Sequence, residues 1–372
     1  MIKWCKSCIL PDSRPNLIIE KNGVCNACNN HLKKDAVDWE KREISFNNLI
    51  NKIKKASGNY DCIIPVSGGK DSTWQVIKLL KYGLNPLAIT WKPPGRNKIG
   101  QENLQNLINL GVDHIDFTVN PKIESSFMLE SFKKFGSPLI PMHLAIYNLP
   151  IRVAYNFDIP LIVWGENSAY EYGGGGEKKF SKYINKNWVK KYGATGGTDF
   201  KDWLSKKFSE KDLFPYSYLD EEKIKKKKIM GIFLGHFFKW DPLETMKISQ
   251  KQGFNFSRKH KITGFYDFAD LDDNMISIHH WMKWYKFGFD RAFDNLSIEI
   301  RNKRISRENA KKKILKSGVL RPDEDIDYFC NYMKISQKDF IKISEKFRNK
   351  KIWKMKSGKW YIPNFLFNNW KW

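Results

Sequence analysis

A run of small and charged residues, Ser67-Gly-Gly-Lys-Asp-Ser72, lies between an apolar segment and an amphipathic one. A strand, a glycine turn and a helix in that order bring free backbone N–H groups to a helix N-terminus, an arrangement that binds phosphate. The two glycines let a ligand approach the backbone, and the two serines add hydroxyl donors. A simple helix-capping turn is the alternative, but the turn directly follows a buried strand. The predicted phosphate-binding residues are Ser67, Gly68, Gly69, Lys70, Asp71 and Ser72.

This loop differs from a Walker A motif at two positions. That motif requires glycine at position 64 and a hydroxyl residue at position 71, where this chain has Ile64 and Asp71. A carboxylate would repel bound phosphate unless a cation lay between them. Asp71 therefore predicts a Mg²⁺ ion that bridges this side chain and the phosphates.

Four of the six cysteines form two Cys-x2-Cys pairs near the start of the chain. Two residues between thiols allow one tight turn to present both sulfurs to a tetrahedral ion, and two such pairs are typical of a zinc ribbon. An iron–sulfur cluster is the alternative that spacing leaves open. The predicted ligands of a structural Zn²⁺ are Cys5, Cys8, Cys25 and Cys28.

The remainder of the first two-thirds of the chain alternates between strand and helix patterns. Strands are predicted at 61–66, 86–91, 114–119, 160–164 and 229–237, with helices at 35–53, 72–82, 101–110 and 142–156. This alternation predicts an α/β fold with a doubly wound parallel sheet, whose ligands bind at the carboxyl ends of the strands.

The chain is expected to contain three regions. Residues 1–34 would form the zinc ribbon, 35–245 the nucleotide-binding domain and 246–372 a helical C-terminal region. An insertion at about 173–225 contains EYGGGGEKKF and GATGGTDF, which predict mobile or ligand-ordered loops.

The formal charge of +25 would favour an anionic substrate or an acidic partner. It does not by itself predict nucleic-acid binding, because no RNA-binding motif is recognisable and the lysines also fit a solvated surface.

The longest apolar run, 229–238, is half of what a bilayer crossing needs. With no apolar region near the N-terminus, the sequence predicts a cytoplasmic protein.

The SGGKDS segment resembles the loop of the N-type ATP pyrophosphatase (PP-loop) superfamily, whose pattern is S-G-G-x-D-S. The resemblance implies that the loop, with Lys70 and Asp71 as catalytic residues, binds the β- and γ-phosphates of ATP. A nucleophile then attacks the α-phosphate, which gives an adenylylated substrate and pyrophosphate. It also implies a nucleotide contact at the end of the second strand, at Thr90.

The segment that begins at Gly165 is similar to the G-E-G-x-D-E segment of asparagine synthetases. The resemblance implies that Gly165 and Asn167 contact the nucleotide. Glu166 and Glu171 would lie near it, one holding Mg²⁺ and the other orienting ammonia or accepting its proton. Surface glutamates in a loop are the alternative interpretation.

Longer segments, among them KWYKFGFDRAFDNLSIEIRNKRISREN, resemble the N-acetyl sugar amidotransferase family of surface-polysaccharide and nonulosonic-acid pathways. The implied reaction converts an acetamido group of an anionic sugar to an acetamidino group by adenylylation and ammonia attack. Two alternatives remain open: a PP-loop tRNA thiolase or other tRNA-modifying enzyme, and a non-catalytic ATP-binding scaffold. The basic residues expected to meet the phosphates of the sugar carrier, or else to form salt bridges, are Arg291, Arg301 and Arg304.

The source of ammonia is expected to be a separate class I glutaminase subunit. One glutaminase type needs an N-terminal cysteine, but Ile2 follows Met1. The other needs a cysteine on a glycine-flanked elbow, and neither Cys62 nor Cys330 has those flanks. Both are predicted to be packing residues.

Overall fold

The computed structural model of the chain describes residues 2–56, 58–174, 181–256, 264–319 and 321–372. Its strands are β1 (Cys62–Pro65), β2 (Pro86–Trp91), β3 (Asp113–Phe117), β4 (Leu161–Trp164), β5 (Tyr183–Ile184), β6 (Met230–Phe233), β7 (Lys354–Lys356) and β8 (Lys359–Tyr361). The first six form one sheet in the order β3-β2-β1-β4-β6-β5. Five of them are parallel, and the edge strand β5 pairs antiparallel with β6.

The predicted doubly wound parallel sheet is thus confirmed, with one added strand. The added strand is β5, which lies in the insertion. The largest difference in length is at β6, which gives way to a 3₁₀ turn at Leu234–His236. The chain turns there because the Gly235 N–H donates to the Gly165 carbonyl, 3.0 Å away at the end of β4.

Helices follow most of the strands and continue through the C-terminal third. They are α1 (Asn26–Lys34), α2 (Trp39–Ala56), α3 (Lys70–Lys81), α4 (Lys98–Ile108), α5 (Pro121–Phe135), α6 (Ile140–Asn156), α7 (Ser168–Glu171), α8 (Lys186–Tyr192), α9 (Glu221–Lys226), α10 (Pro242–Gln250), α11 (Ile276–Phe287), α12 (Arg291–Arg301), α13 (Arg307–Ser317), α14 (Asp323–Met333) and α15 (Gln337–Lys346). Further 3₁₀ turns lie at Phe200–Trp203 and Phe214–Tyr216. Helix α5 was not predicted, although Asn120 caps it, Pro121 begins it and a left-handed Gly136 ends it.

Alternating side chains of the central strands enter cores on opposite faces of the sheet. Ile64 and Val163 pack with residues of α2, α3 and α4 on one face. Ile63 and Ile162 pack with residues of α5 and α6 on the other. Strands buried on both faces read as continuous apolar runs, which is why β1 and β4 were recognisable in the sequence.

The N-terminal segment and the C-terminal helices share a third core. All four cysteines of the paired motifs contribute to it, together with Trp284, Phe293 and Trp370. The three-region division of the chain remains a prediction. Among the described residues, no helix combines the length and apolar character that a bilayer crossing requires.

Candidate active site

The loop between β1 and α3 has the backbone form that the glycines predict. Gly68 has φ +88°, and a Cβ atom at this position would lie 2.5 Å from the backbone nitrogen of Leu104 in α4. Helix α3 begins after Gly69 without a side-chain cap, so its first N–H groups face the loop. The Ser72 hydroxyl donates to the Gly69 carbonyl at 2.9 Å, which fixes the turn. The loop can therefore receive phosphate at a helix N-terminus.

Asp71 is held in place by side chains from the part of the chain that follows β6. The indole Nε1 of Trp240 donates to its Oδ1 atom at 2.9 Å, and the hydroxyl of Thr245 donates to the same oxygen at 3.0 Å. The other carboxylate oxygen forms an ion pair with Lys70. In addition, the Ser249 hydroxyl donates to the Lys70 carbonyl at 2.6 Å. Helix α10 and the residues before it thus orient the start of the loop helix.

Glu166 lies across the loop at the carboxyl end of β4. It lines the same cavity as Asp71, Lys70 and the loop glycines, a space of about 170 Å³. Burial, followed by the negative charge of Asp71, raises the pKa of Glu166 to about 7. Such a carboxyl group can exchange a proton near neutral pH. Asp71 and Glu166 are therefore the two predicted catalytic carboxylates that the structure brings together.

The other residues predicted after β4 face elsewhere. Asn167 is buried, and its side chain accepts a hydrogen bond from the Ala169 N–H at 3.1 Å, which caps α7. Glu171 forms an ion pair with Lys34 of α1, with Nζ and Oε1 2.6 Å apart. Neither side chain belongs to the described residues that line the Glu166 cavity.

A second cavity, of about 320 Å³, adjoins the loop on the side of β2. Thr90 lines it, and its hydroxyl donates to the Val66 carbonyl at 2.7 Å. Gly165, Ser67 and Ser72 also line this cavity, together with apolar side chains that include Ile89, Ile146, Leu149 and Trp164. Apolar walls beside a phosphate-binding loop suit a nucleotide base. The two cavities together could hold an ATP molecule along the carboxyl edge of the sheet.

The segment Phe268–Asp273 covers the loop, and sequence reasoning missed it. Asp270 and Asp272 line both cavities. The Asp270 carboxylate lies 3.1 Å from Arg291 Nε and 3.3 Å from His280 Nε2. Asp272 contacts Ser67, and burial raises the pKa of its carboxyl group. Three aspartates within FADLDD were the available signal, but nothing in their spacing placed them beside a loop two hundred residues earlier.

Two of the three arginines predicted to meet phosphates form ion pairs within the protein. Arg291 pairs with Asp270, as described above. Arg304 forms ion pairs with Glu299 at 2.6 Å and Asp241 at 2.7 Å. Arg301 is buried near the cysteine pairs. Of the three, only Arg291 lines the cavity at the loop.

The four paired cysteines converge as their spacing predicts. Their sulfur atoms are buried and all lie within 4.8 Å of one another. Cys8 Sγ and Cys25 Sγ are 3.7 Å apart, close to the separation of about 3.8 Å that tetrahedral Zn–S bonds of about 2.3 Å require. Backbone N–H groups of Cys8 and Cys25 donate to Cys5 Sγ at 3.4 and 3.2 Å. Four soft thiolates with no open position fit a structural Zn²⁺.

Residues 259–366 match the family model described as "LPS biosynthesis protein WbpG-like, C-terminal domain". This match confirms the resemblance to surface-polysaccharide proteins that the C-terminal segments predict. The match starts before the segment that covers the loop and continues past α15, so it includes Asp270, Asp272 and Arg291.

A curated protein also matches part of the chain. The uncharacterized protein MJ1599 of Methanocaldococcus jannaschii is 27% identical over 138 residues, which are 36% of this chain and 48% of that protein. The chain thus matches about half the length of this curated relative.

Two solved structures overlap the chain weakly. One is described as a "predicted subunit of tRNA methyltransferase" from M. jannaschii (16% identity, 64% of this chain and 91% of that one, TM-score 0.30). The other is the NH3-dependent NAD synthetase of Campylobacter jejuni (15% identity, 58% and 93%, TM-score 0.28). Likenesses of this size assign no function to this chain.

Proposed function

We propose that this protein is an ATP-dependent, AMP-forming amidotransferase that converts an acetamido group of a carrier-linked sugar to an acetamidino group. The observation that carries the proposal is the SGGKDS loop, with Asp71 and Glu166 facing one cavity at the carboxyl edge of the sheet. The match of the C-terminal region to a lipopolysaccharide-biosynthesis family supports a sugar acceptor.

In this proposal the loop binds the pyrophosphate part of ATP, and the cavity at Thr90 binds the base. Bound Mg²⁺ would neutralise phosphate charge, with Asp71 as its protein ligand. The carboxylates that line the site do not form a complete metal site by themselves, because among the described residues only the four cysteines form a group of three or more His, Cys, Asp or Glu residues whose ligand atoms lie within 4.8 Å of one another. Phosphate oxygens and water would complete the shell, as is usual for Mg²⁺.

The proposed reaction proceeds in two steps, adenylylation of the acceptor and attack by ammonia. The amide oxygen of the acceptor attacks the α-phosphate, the bond to the β-phosphate breaks, and pyrophosphate leaves. Ammonia then adds to the activated carbon, which expels AMP and leaves the amidine. Glu166 accepts the proton that the nitrogen loses, because its pKa of about 7 lets it exchange protons at neutral pH. Lys70 and the loop N–H groups stabilise the leaving pyrophosphate.

The chemistry of a tRNA thiolase usually needs a reactive cysteine or a labile cluster near the loop, and neither Cys62 nor Cys330 supplies such a cysteine. Four of the six belong to the buried cluster. Cys62 is buried at the start of β1, the end remote from the loop, and burial raises the pKa of its thiol. Cys330 is buried in α14. A separate class I glutaminase subunit remains our proposed source of ammonia.

The direct test is pyrophosphate release from ATP and Mg²⁺ with ammonium chloride and a panel of acetamido sugars and nucleotide sugars. We expect release that depends on both ammonia and sugar, and a product about one mass unit lighter than its acceptor. Asp71→Asn should abolish release while the protein stays folded by circular dichroism. ATP binding without pyrophosphate release under every condition would refute catalysis and favour a scaffold.

A further inference from the structure

A third cavity lies beside the loop site, and the proposed chemistry does not yet use it. Its volume is about 480 Å³, larger than either cavity at the loop. Tyr172 lines both this cavity and the one that contains Glu166, so the two spaces adjoin across one side chain. Its walls come from the segment before α1, the end of α5, the turn after α8, and the C-terminal half of α11.

The charged side chains of this cavity are strongly unbalanced. The single carboxylate among its lining residues is Asp294, and the cations are Arg14, Lys190, Lys191, Lys283 and Lys286. Asp294 is fully buried and is shared by Arg14 and Lys283, each at 2.8 Å. The other three lysines have no carboxylate partner among the described residues. Their positive charge therefore remains available to a ligand.

Lys286 is the most informative of these cations. Its Nζ atom donates to the Phe135 carbonyl at 3.3 Å, and its side chain is half-buried. Burial, followed by the charge of Lys283, lowers the pKa of Lys286 to about 8. A partly desolvated ammonium group without an anionic partner is costly, and a bound anion would remove that cost.

The remaining walls are largely aromatic and match a ligand with an apolar face as well as charge. Phe135, Tyr192, Phe287 and Phe289 all line the space. Lysines combined with aromatic rings suit a diphosphate that is attached to a flat or apolar group.

We propose that this cavity binds the diphosphate of the acceptor's carrier, with Lys190, Lys191 and Lys286 as the phosphate-binding side chains. This inference rests on the proposed function for the identity of the acceptor. It replaces Arg301 and Arg304, neither of which lines this cavity, as the anion-binding residues. The acceptor's sugar would then extend past Tyr172 toward Glu166 and the loop.

The test is calorimetric titration of the full-length protein with its loop saturated by ATP and Mg²⁺. The probes are uridine diphosphate, farnesyl diphosphate and inorganic pyrophosphate. We expect Lys190→Gln/Lys286→Gln to weaken binding of uridine or farnesyl diphosphate at least tenfold while the affinity for ATP stays within twofold. Whichever organic diphosphate binds more tightly identifies the carrier as a nucleotide or a lipid.

The matched control is Lys225→Gln/Lys226→Gln on the exposed helix α9, which removes the same charge elsewhere. It should change diphosphate affinity less than twofold. Equal weakening by both double variants, or no binding to the wild-type protein at millimolar concentration, would overturn the proposal. So would displacement of ATP by the diphosphates. Because the assay measures binding alone, lysine-dependent binding without any pyrophosphate release would leave this site standing and refute only the proposed reaction.

Discussion

The ion pair between Lys34 and Glu171 provides a test of whether Glu171 has a structural or a catalytic role. Sequence resemblance assigns Glu171 to the chemistry, whereas its carboxylate lies 2.6 Å from the Lys34 ammonium, with side chains 10% and 2% exposed respectively. Lys34 also donates to the Trp240 carbonyl at 3.2 Å, and Trp240 in turn orients Asp71. The pair therefore joins the helix that follows the cysteine pairs to the site.

Replacing Glu171 by Gln should lower the free energy of unfolding by about 3 kcal/mol. Removing one partner of a buried pair typically costs about 3–5 kcal/mol, because the other charge stays buried and uncompensated. We expect the lower end because Lys34 keeps the Trp240 carbonyl and lies 5.6 Å from the centre of the Tyr170 ring. The double variant Lys34→Met/Glu171→Gln should recover most of the loss, to within about 1 kcal/mol of the wild type.

The assay is urea denaturation of each variant at equal zinc content, combined with pyrophosphate release at saturating ammonium under conditions where every variant is folded. The control is Glu222→Gln, whose pair with Lys225 is exposed, and it should cost less than about 1 kcal/mol. If Glu171→Gln kept its stability but lost pyrophosphate release, Glu171 would act in the reaction and our structural argument would be wrong.

Three further outcomes are expected. Gly68→Ala should abolish ATP binding, because a Cβ atom there would lie 2.5 Å from the Leu104 nitrogen. A Cβ atom at position 69 would meet only Ser67 Oγ, at 3.3 Å, so Gly69→Ala should bind ATP at least tenfold more tightly than Gly68→Ala in the same titration. Equal affinities of the two variants for ATP would contradict the loop geometry. Burial raises the pKa of Glu124 from 4.5 to about 8, so the folded state holds the proton more tightly than the unfolded one. The free energy of unfolding should therefore fall as pH rises from about 5 to 8, by at most about 1.4 kcal/mol per pH unit, and Glu124→Gln, measured by denaturation at both ends, should lack this loss; parallel pH profiles would refute it. The purified protein should contain one zinc ion per molecule by mass spectrometry of metals. Cys25→Ser should lose the zinc, and its melting temperature should fall by several degrees. Iron together with visible absorption would instead indicate an iron–sulfur cluster.

The strands β1, β2 and β4 were predictable because they are buried on both faces of the sheet. Ile63 and Ile64 enter opposite cores, so every position of β1 must be apolar and the run stands out. The two-residue strand β5 has no such signal, because it pairs on one side only, with β6. The segment EYGGGGEKKF, predicted to be a mobile or ligand-ordered loop, falls partly at 175–180, outside the described residues.

Within the site, too, the local motifs could be predicted from the sequence, whereas the long-range contacts could not. The turn at Gly68 and the start of α3 depend on neighbours in the chain, so the sequence was sufficient to predict the phosphate-binding loop. Trp240 and Asp272 reach that loop from far along the chain, and no local pattern encodes such contacts. Likewise, Glu166 and Glu171 lie five positions apart, but Glu166, before α7, lines the cavity, whereas Glu171, at the end of α7, pairs with Lys34.

The sequence by itself determined the phosphate-binding loop, the four converging cysteines and the parallel sheet, because backbone conformation, ligand spacing and strand burial are properties of short segments. Tertiary structure alone decided which carboxylates share a cavity, which arginines are already paired, and where unpaired lysines gather beside Tyr172. These outcomes depend on how distant segments pack, since a charge is free or neutralised according to what the fold places within a few ångströms of it.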